Sequence, residues 1–291
     1  MTTFRATRSL KLKDLGFRAL MLSCLGLSML LLGVLIVDVA GDGGSVLSWD
    51  FITSFSSTQA DKAGAEAAIT GTLWLMLVCT VFIVPVGVAT ALYLEEYADG
   101  TRWWNRAIEV NIQNLASVPS VVYGILGLAF LVRGPLKLGN VVLAGGLTLG
   151  LLVLPVVIIA AREAIRAVPP SIREGSLALG ATQWQTIWRQ VLPAAIPGIT
   201  TGVILALSRA IGETAPLIVV GAATFVAFNP TGLDSAFTAL PIQIFEWISR
   251  PSTPENDFQT LAAGAILVLL IMLGLMQAVA IWLRNRYEQK W

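Results

Sequence analysis

Histidine is missing from this chain of 291 residues, which removes the commonest general base and the commonest metal ligand. Only two cysteines occur, Cys24 and Cys79, both inside apolar runs, so there is no disulfide framework to read. Charge is scarce as well. Asp, Glu, Lys and Arg make up 13% of the residues, about half of the ~25% that soluble domains average. The net charge of +1 argues against a nucleic-acid partner. No Gly-Lys dipeptide occurs, so the Gly-x4-Gly-Lys-Ser/Thr loop that cradles ATP phosphates and Mg²⁺ is excluded. No catalytic residue and no metal site can be assigned.

What is abundant is apolar sequence, 56% of the chain, gathered into long runs. Crossing the hydrocarbon core takes about 20 apolar residues, and six segments qualify: 17–38, 69–93, 112–132, 139–161, 195–221 and 261–283. The expected fold is therefore all-α, a polytopic membrane protein with six spans. Fourteen Lys and Arg residues fall in one set of alternate loops and termini and four in the other. The positive-inside rule then predicts cytoplasmic N- and C-termini. Arg5, Arg8, Lys11, Lys13 and Arg18 precede or open the first run, but its length and Asp38 before Ala40 argue for a retained anchor over a cleaved signal. Two parts are expected: residues 1–68 with the first span and an acidic, Gly/Ser-rich outer loop, and residues 69–291. The outer segment 222–260 includes an apolar stretch, Ala236–Ile248, broken by Pro241. It either lies in the membrane interface or forms a docking surface.

One charged, amphipathic segment sits between two spans, on the predicted cytoplasmic side, in a loop of about 162–193: Ser171–Pro193, SIREGSLALGATQWQTIWRQVLP. Ser171-x-x-Glu174 and Thr182-x-x-Gln185 are both capping-box patterns, with Gly180 between them at a helix-ending position. Pro169 and Pro170 block entry from before, and Pro193 is expected to stop the second helix. Two short helices with a sharp turn follow. In the second, Trp184, Ile187, Trp188 and Val191 recur at helical spacing as one apolar stripe. That stripe rests either on the membrane surface or in a groove of another protein.

The fifth span, Gly198–Gly221, places Arg209 and Glu213 near mid-membrane, each at about 2.5–3.5 kcal/mol on insertion scales. Gly198, Gly202, Ala206, Arg209, Glu213 and Pro216 share one helical stripe, with small residues that admit a neighbouring helix or a solute. Two readings stand: an ion pair that specifies packing, or a face lining an anion pathway that includes Thr214, with Arg209 suited to bidentate oxyanion binding. Gly212 and Pro216 predict a helix break that turns backbone N–H groups toward the pathway. In the third span Gln113, Ser117, Ser120 and Gly124 form a weaker polar face around Pro119, with Asn114 and Tyr123 nearby, serving interhelical contact or the pathway. Glu95 and Glu96 read as a solvated helix end, with contact to a partner as the alternative.

The Ser171–Pro193 segment resembles the cytoplasmic EAA loop of ABC importer permeases, Glu-Ala-Ala, three residues, Gly, nine residues, Ile-x-Leu-Pro. Glu174, Gly180, Leu192 and Pro193 match in register, while Gly175-Ser176 stands for the alanines and Gln190 for the isoleucine. LSRAIGETAP, LEEYA (Leu94–Ala98), SVPSVVYGILGLA (Ser117–Ala129) and LRNRYE (Leu283–Glu288) are similar to the PstA-type permease family of bacterial phosphate importers. The resemblance implies a type I ABC importer permease fold in the bacterial inner membrane. It further implies a PstC-like sister permease, an ATPase subunit dimer that holds the ATP and Mg, and an external phosphate-binding protein. In that setting Glu174, Gly175, Ser176, Gly180, Ala181 and Trp184 couple to the ATPase, and Arg209 and Glu213 serve phosphate passage. Permeation of sulfate or molybdate, a stand-alone secondary carrier and a scaffold subunit are the rival readings.

Overall fold

The structure is a computed structural model that describes residues 8–223, 225–253 and 257–287. Arg5 and Glu288 lie outside the described residues. Twelve α-helices are described. The long ones are α1 (Arg8–Gly44), α3 (Glu66–Leu92), α6 (Val142–Arg166), α9 (Leu192–Ala210) and α12 (Phe258–Tyr287). Between them stand α2 (Trp49–Thr53), α4 (Trp103–Ala116), α5 (Ser120–Leu126), α7 (Pro170–Ala178), α8 (Gln183–Thr186), α10 (Ala215–Val220) and α11 (Leu240–Ser249). Turns of wider π geometry extend α3 through Tyr97 and α5 through Val132, and a third, Ile187–Val191, joins α8 to α9.

Five of the six expected spans are single helices long and apolar enough to cross a bilayer. The third is not. Trp103–Ala116 and Ser120–Val132 meet at a bend of 110°. Pro119 has no N–H to continue α4, and it biases Val118 toward extended backbone. Each half rises only about 20 Å at 1.5 Å per residue, short of the ~30 Å core. The Tyr123 hydroxyl donates to the Leu115 carbonyl at 2.8 Å, satisfying one of the acceptors that the end of α4 leaves open.

The bundle is built around the α3–α6–α9 seam. Small residues on α6 let α3 approach closely: a Cβ on Gly146 would lie 2.6 Å from Val78. Packing of this kind drives association where lipid is as apolar as the side chains. α1 runs unbroken through Ala40 to Gly44, leaves its apolar surface exposed, and meets α12 where Gly43 abuts the Ala263 backbone. The Ala236–Ile248 stretch takes neither of its expected roles outright. Pro241 sits in the first turn of α11, where a missing N–H costs nothing, and Leu240, Ile242, Gln243 and Trp247 are buried against the bundle. Gln243 accepts a hydrogen bond from Ser56 inside that core.

Candidate functional site

α9 ends at Ala210, so the helix of the fifth span stops short of the expected end at residue 221. Three-residue turns follow, with Gly212 N–H donating to Arg209 O and Glu213 N–H to Ala210 O. The expected break is present at Ile211–Thr214, and Pro216 lies in the first turn of α10. These two N–H groups, however, are consumed by the end of α9 and do not stand free toward a pathway. The lower part of the small-residue stripe is likewise occupied. A Cβ on Gly198 would lie 2.5 Å from Ala164 Cβ and one on Gly202 would lie 2.3 Å from Ala160 Cβ, so these residues hold α9 against α6.

Beyond that seam the stripe opens. Arg209 Nε donates to Glu213 Oε1 at 3.3 Å, with the Arg209 side chain 43% exposed and that of Glu213 18%. The terminal NH₂ groups of Arg209 have no hydrogen-bond partner among the described residues. They are the pair of donors that a tetrahedral oxyanion would engage. Tyr123 is buried, and Gly124 beside it in α5 packs directly on Pro216. Thus α5, α9 and α10 converge on Arg209, Glu213, Tyr123 and Pro216. Ser120 and Thr214 are half-exposed nearby in sequence; Ser117 is exposed and donates to Asn114 O at 2.7 Å, tightening the end of α4.

The EAA-like segment forms a helix pair as expected, with three corrections. Ser171 is no N-cap: Pro170 starts α7 one residue earlier, with Pro169 in the capping position. Pro193 does not stop the second helix. Leu192 N–H reaches back to Ile187 O in a π turn, Pro193 enters the first turn of α9, and one continuous helix runs from Gln183 to Ala210. The π turn also changes the angular spacing, so the apolar stripe splits. Ile187 and Val191 are buried, while Trp184 and Trp188 remain exposed with ring centroids 5.2 Å apart.

The turn itself is as read. Gly180 has φ +84°, its N–H bonds Leu177 O, and Ala181 N–H bonds Ser176 O, the two hydrogen bonds of a Schellman motif. The Thr182–Gln185 capping box is formed in both directions. Ser176 Oγ and Thr186 Oγ1, 2.9 Å apart, tie the helices together. Glu174, Gly175, Leu177 and Leu179 lie on the exposed surface, beside a groove of about 480 Å³ lined by Ile172, Gly175, Leu179 and Gln185.

Sequence reasoning missed a charged cluster at this end. Glu95 and Glu96 are not solvated; their side chains are largely buried. Glu95 accepts from Arg162 at 2.8 Å and Arg166 at 2.7 Å, and Arg162 also reaches Glu109 at 2.8 Å. Glu96 pairs with Arg173 at 2.9 Å. Two adjacent acids facing a basic loop were the available signal. Asp99 in the following turn has its carboxyl held below the usual range, chiefly by the Thr101 hydroxyl.

Comparison with known proteins agrees with this architecture. Residues 83–291 match the family model described as binding-protein-dependent transport system inner membrane component. The probable ABC transporter permease protein YqgI of Bacillus subtilis is 31% identical over 258 residues, 86% of this chain and 87% of that protein. The phosphate transport system permease protein PstA 1 of Mycobacterium tuberculosis is 35% identical over 221 residues, 76% of this chain and 70% of its own length. Among solved structures, a bacterial alginate ABC transporter aligns with a TM-score of 0.69 at 18% identity, covering 96% of each chain. The MetNI methionine ABC transporter aligns at 0.61 and 16% identity, covering 77% of this chain and 96% of that one. The fold is that of type I ABC importer permeases, and the protein is a multi-pass inner-membrane component. The chain belongs to the binding-protein-dependent transport system inner membrane component family and is an ABC permease of the PstA type.

Proposed function

We propose that this chain is the phosphate-passing permease subunit of an ATP-driven importer. Residues 69–291 form the transporting part, residues 1–68 an added anchor, and both termini lie in the cytoplasm. The observation that carries the reading is Arg209: a guanidinium at the end of a membrane helix, held at one edge by Glu213, with its two terminal NH₂ groups open among the described residues. Arg209 binds the anion, Glu213 keeps the site balanced while it is empty, and Thr214, Ser117, Ser120 and Tyr123 border the path. The names of several relatives support phosphate as the substrate.

Energy comes from a separate ATPase dimer that holds ATP and Mg. It docks on the exposed Leu177, Leu179, Trp184 and Trp188 around Glu174, Gly175, Ser176, Gly180 and Ala181. Because α8 runs unbroken into α9, displacement of the helix pair moves the segment that ends at Arg209. A PstC-like sister permease completes the path and an external binding protein delivers phosphate. Docking through a water-exposed helix pair is what a stand-alone carrier has no use for. The test is reconstitution of the chain with these partners in lipid vesicles. ATP-dependent uptake of radiolabelled phosphate is expected; uptake of sulfate or molybdate in its place would reassign the substrate.

A further inference from the structure

The α7–α8 pair is joined covalently to α6 before it and α9 after it. A third attachment runs to α3. Glu96, the penultimate residue of the π turn that ends α3, accepts from Arg173 Nε at 3.1 Å and from a terminal Arg173 nitrogen at 2.9 Å. Its backbone carbonyl accepts from Gln183 Nε2 at 2.6 Å. Arg173 lies in α7 and Gln183 opens α8, so one residue of α3 holds both members of the pair. The grip is firm: the Glu96 side chain is only 9% exposed. Arg173 also donates to Val168 O and Ile165 O, at 2.7 and 2.8 Å, which locks it to the end of α6. Buried charge pairs of this kind tolerate little slack, because losing one partner strands the other away from water.

At its far end α3 is tied to the opposite surface. Glu66 accepts from Asn229 at 2.6 Å, Thr70 donates to the same Asn229 at 2.9 Å, and Thr72 Oγ1 accepts from Leu240 N–H at 3.0 Å. α3 therefore links the helix pair to the segment between α10 and α11.

We propose that Glu96 and Arg173 form a strut that drives α3 together with the helix pair. ATPase closure then reaches the membrane through two helices, α9 by covalent continuity and α3 through this pair. The proposal rests on the functional reading above and deepens it. Glu96 and Arg173 are positioning residues, far along the chain from the anion site at Arg209.

The test uses the reconstituted complex and reads phosphate imported per ATP hydrolysed. Glu96→Ala leaves the Arg173 caps on α6 in place and is expected to lower that ratio by about 2- to 30-fold, the span over which single residues change coupling between sites. ATPase co-purification is expected to stay at wild-type level. Glu96→Cys/Arg173→Cys, in a Cys24→Ser/Cys79→Ala background, supplies the second arm. A short bifunctional thiol reagent across the two positions is expected to recover the ratio. An unchanged ratio in Glu96→Ala overturns the strut, as does a tethered double variant whose ratio stays low. Should Glu96→Ala fail to assemble, the tethered variant decides alone. Wild-type complex without phosphate uptake would count against the functional reading, which keeps the two failures apart.

Discussion

Arg209 stands where membrane insertion disfavours a cation by about 2.5–3.5 kcal/mol, and one carboxylate at 3.3 Å only partly offsets that. The Arg209–Glu213 ion pair that a packing role also requires is formed, but among the described residues the two terminal NH₂ groups of Arg209 have no hydrogen-bond partner, unlike those of Arg173. Two other residues allow sharp tests. Gly180 has φ +84° and nothing within 4 Å of its missing Cβ, so backbone conformation rather than space constrains it. Gly180→Val is expected to cost about 1–2 kcal/mol in the left-handed region and to weaken ATPase co-purification, whereas Gly180→Asn keeps both. Wild-type association by the valine variant would show that the turn is dispensable. Asp257 accepts from the backbone N–H groups of Gln259 and Thr260, capping α12. Its pKa is lowered, chiefly by the Thr260 hydroxyl and then by Ser252. A lowered folded-state pKa means that its stabilisation is present above the ordinary carboxylate value, near 4, and is lost as pH falls through the folded value. Asp257→Ala should therefore cost about 0.5–2 kcal/mol at neutral pH, toward the low end at this exposed site. Thermal unfolding in detergent should show that difference shrinking below about pH 4.

At the scale of elements, the α6–α9 seam tolerates no added volume. Gly202→Leu would drive a side chain into Ala160, whose Cβ already lies 2.3 Å from the position of a first added carbon. Overpacking of this kind costs about 1–3 kcal/mol. Gly274→Leu, on α12 with open space around it, should leave the detergent melting temperature unchanged. Equal melting temperatures for the two variants would refute the seam. The elements also divide by what sequence can reveal. Long apolar runs identified five spans because length alone decides them. The Thr182 capping box was legible because its partners are three residues apart. Ser171 misled because Pro170 claims the first helical position. The 110° bend around Pro119 was hidden inside an apolar run that reads as continuous. The split stripe depended on a π turn, which shifts helical phase without any mark in the side chains. The Glu95 and Glu96 pairings lie 67 and 77 positions away along the chain, beyond any local pattern.

At the scale of the whole molecule, continuous helix from Gln183 to Ala210 joins the two surfaces to which the proposed function assigns work. One surface presents exposed Trp184, Trp188, Leu177 and Leu179; the other presents Arg209 at a break where α5, α9 and α10 meet. On the proposed function the two act together: the first takes up the motion of a separate ATPase, and the second lies where the third span bends and α9 ends. The central claim is that Arg209 receives the transported anion. Its most direct test is ATP-driven phosphate uptake by vesicles containing the full complex with Arg209→Gln, assembly being verified by ATPase co-purification. The account predicts intact assembly with uptake reduced by at least about 30-fold, the lower bound for deleting one partner of an enclosed charge pair. Uptake equal to wild type would contradict it.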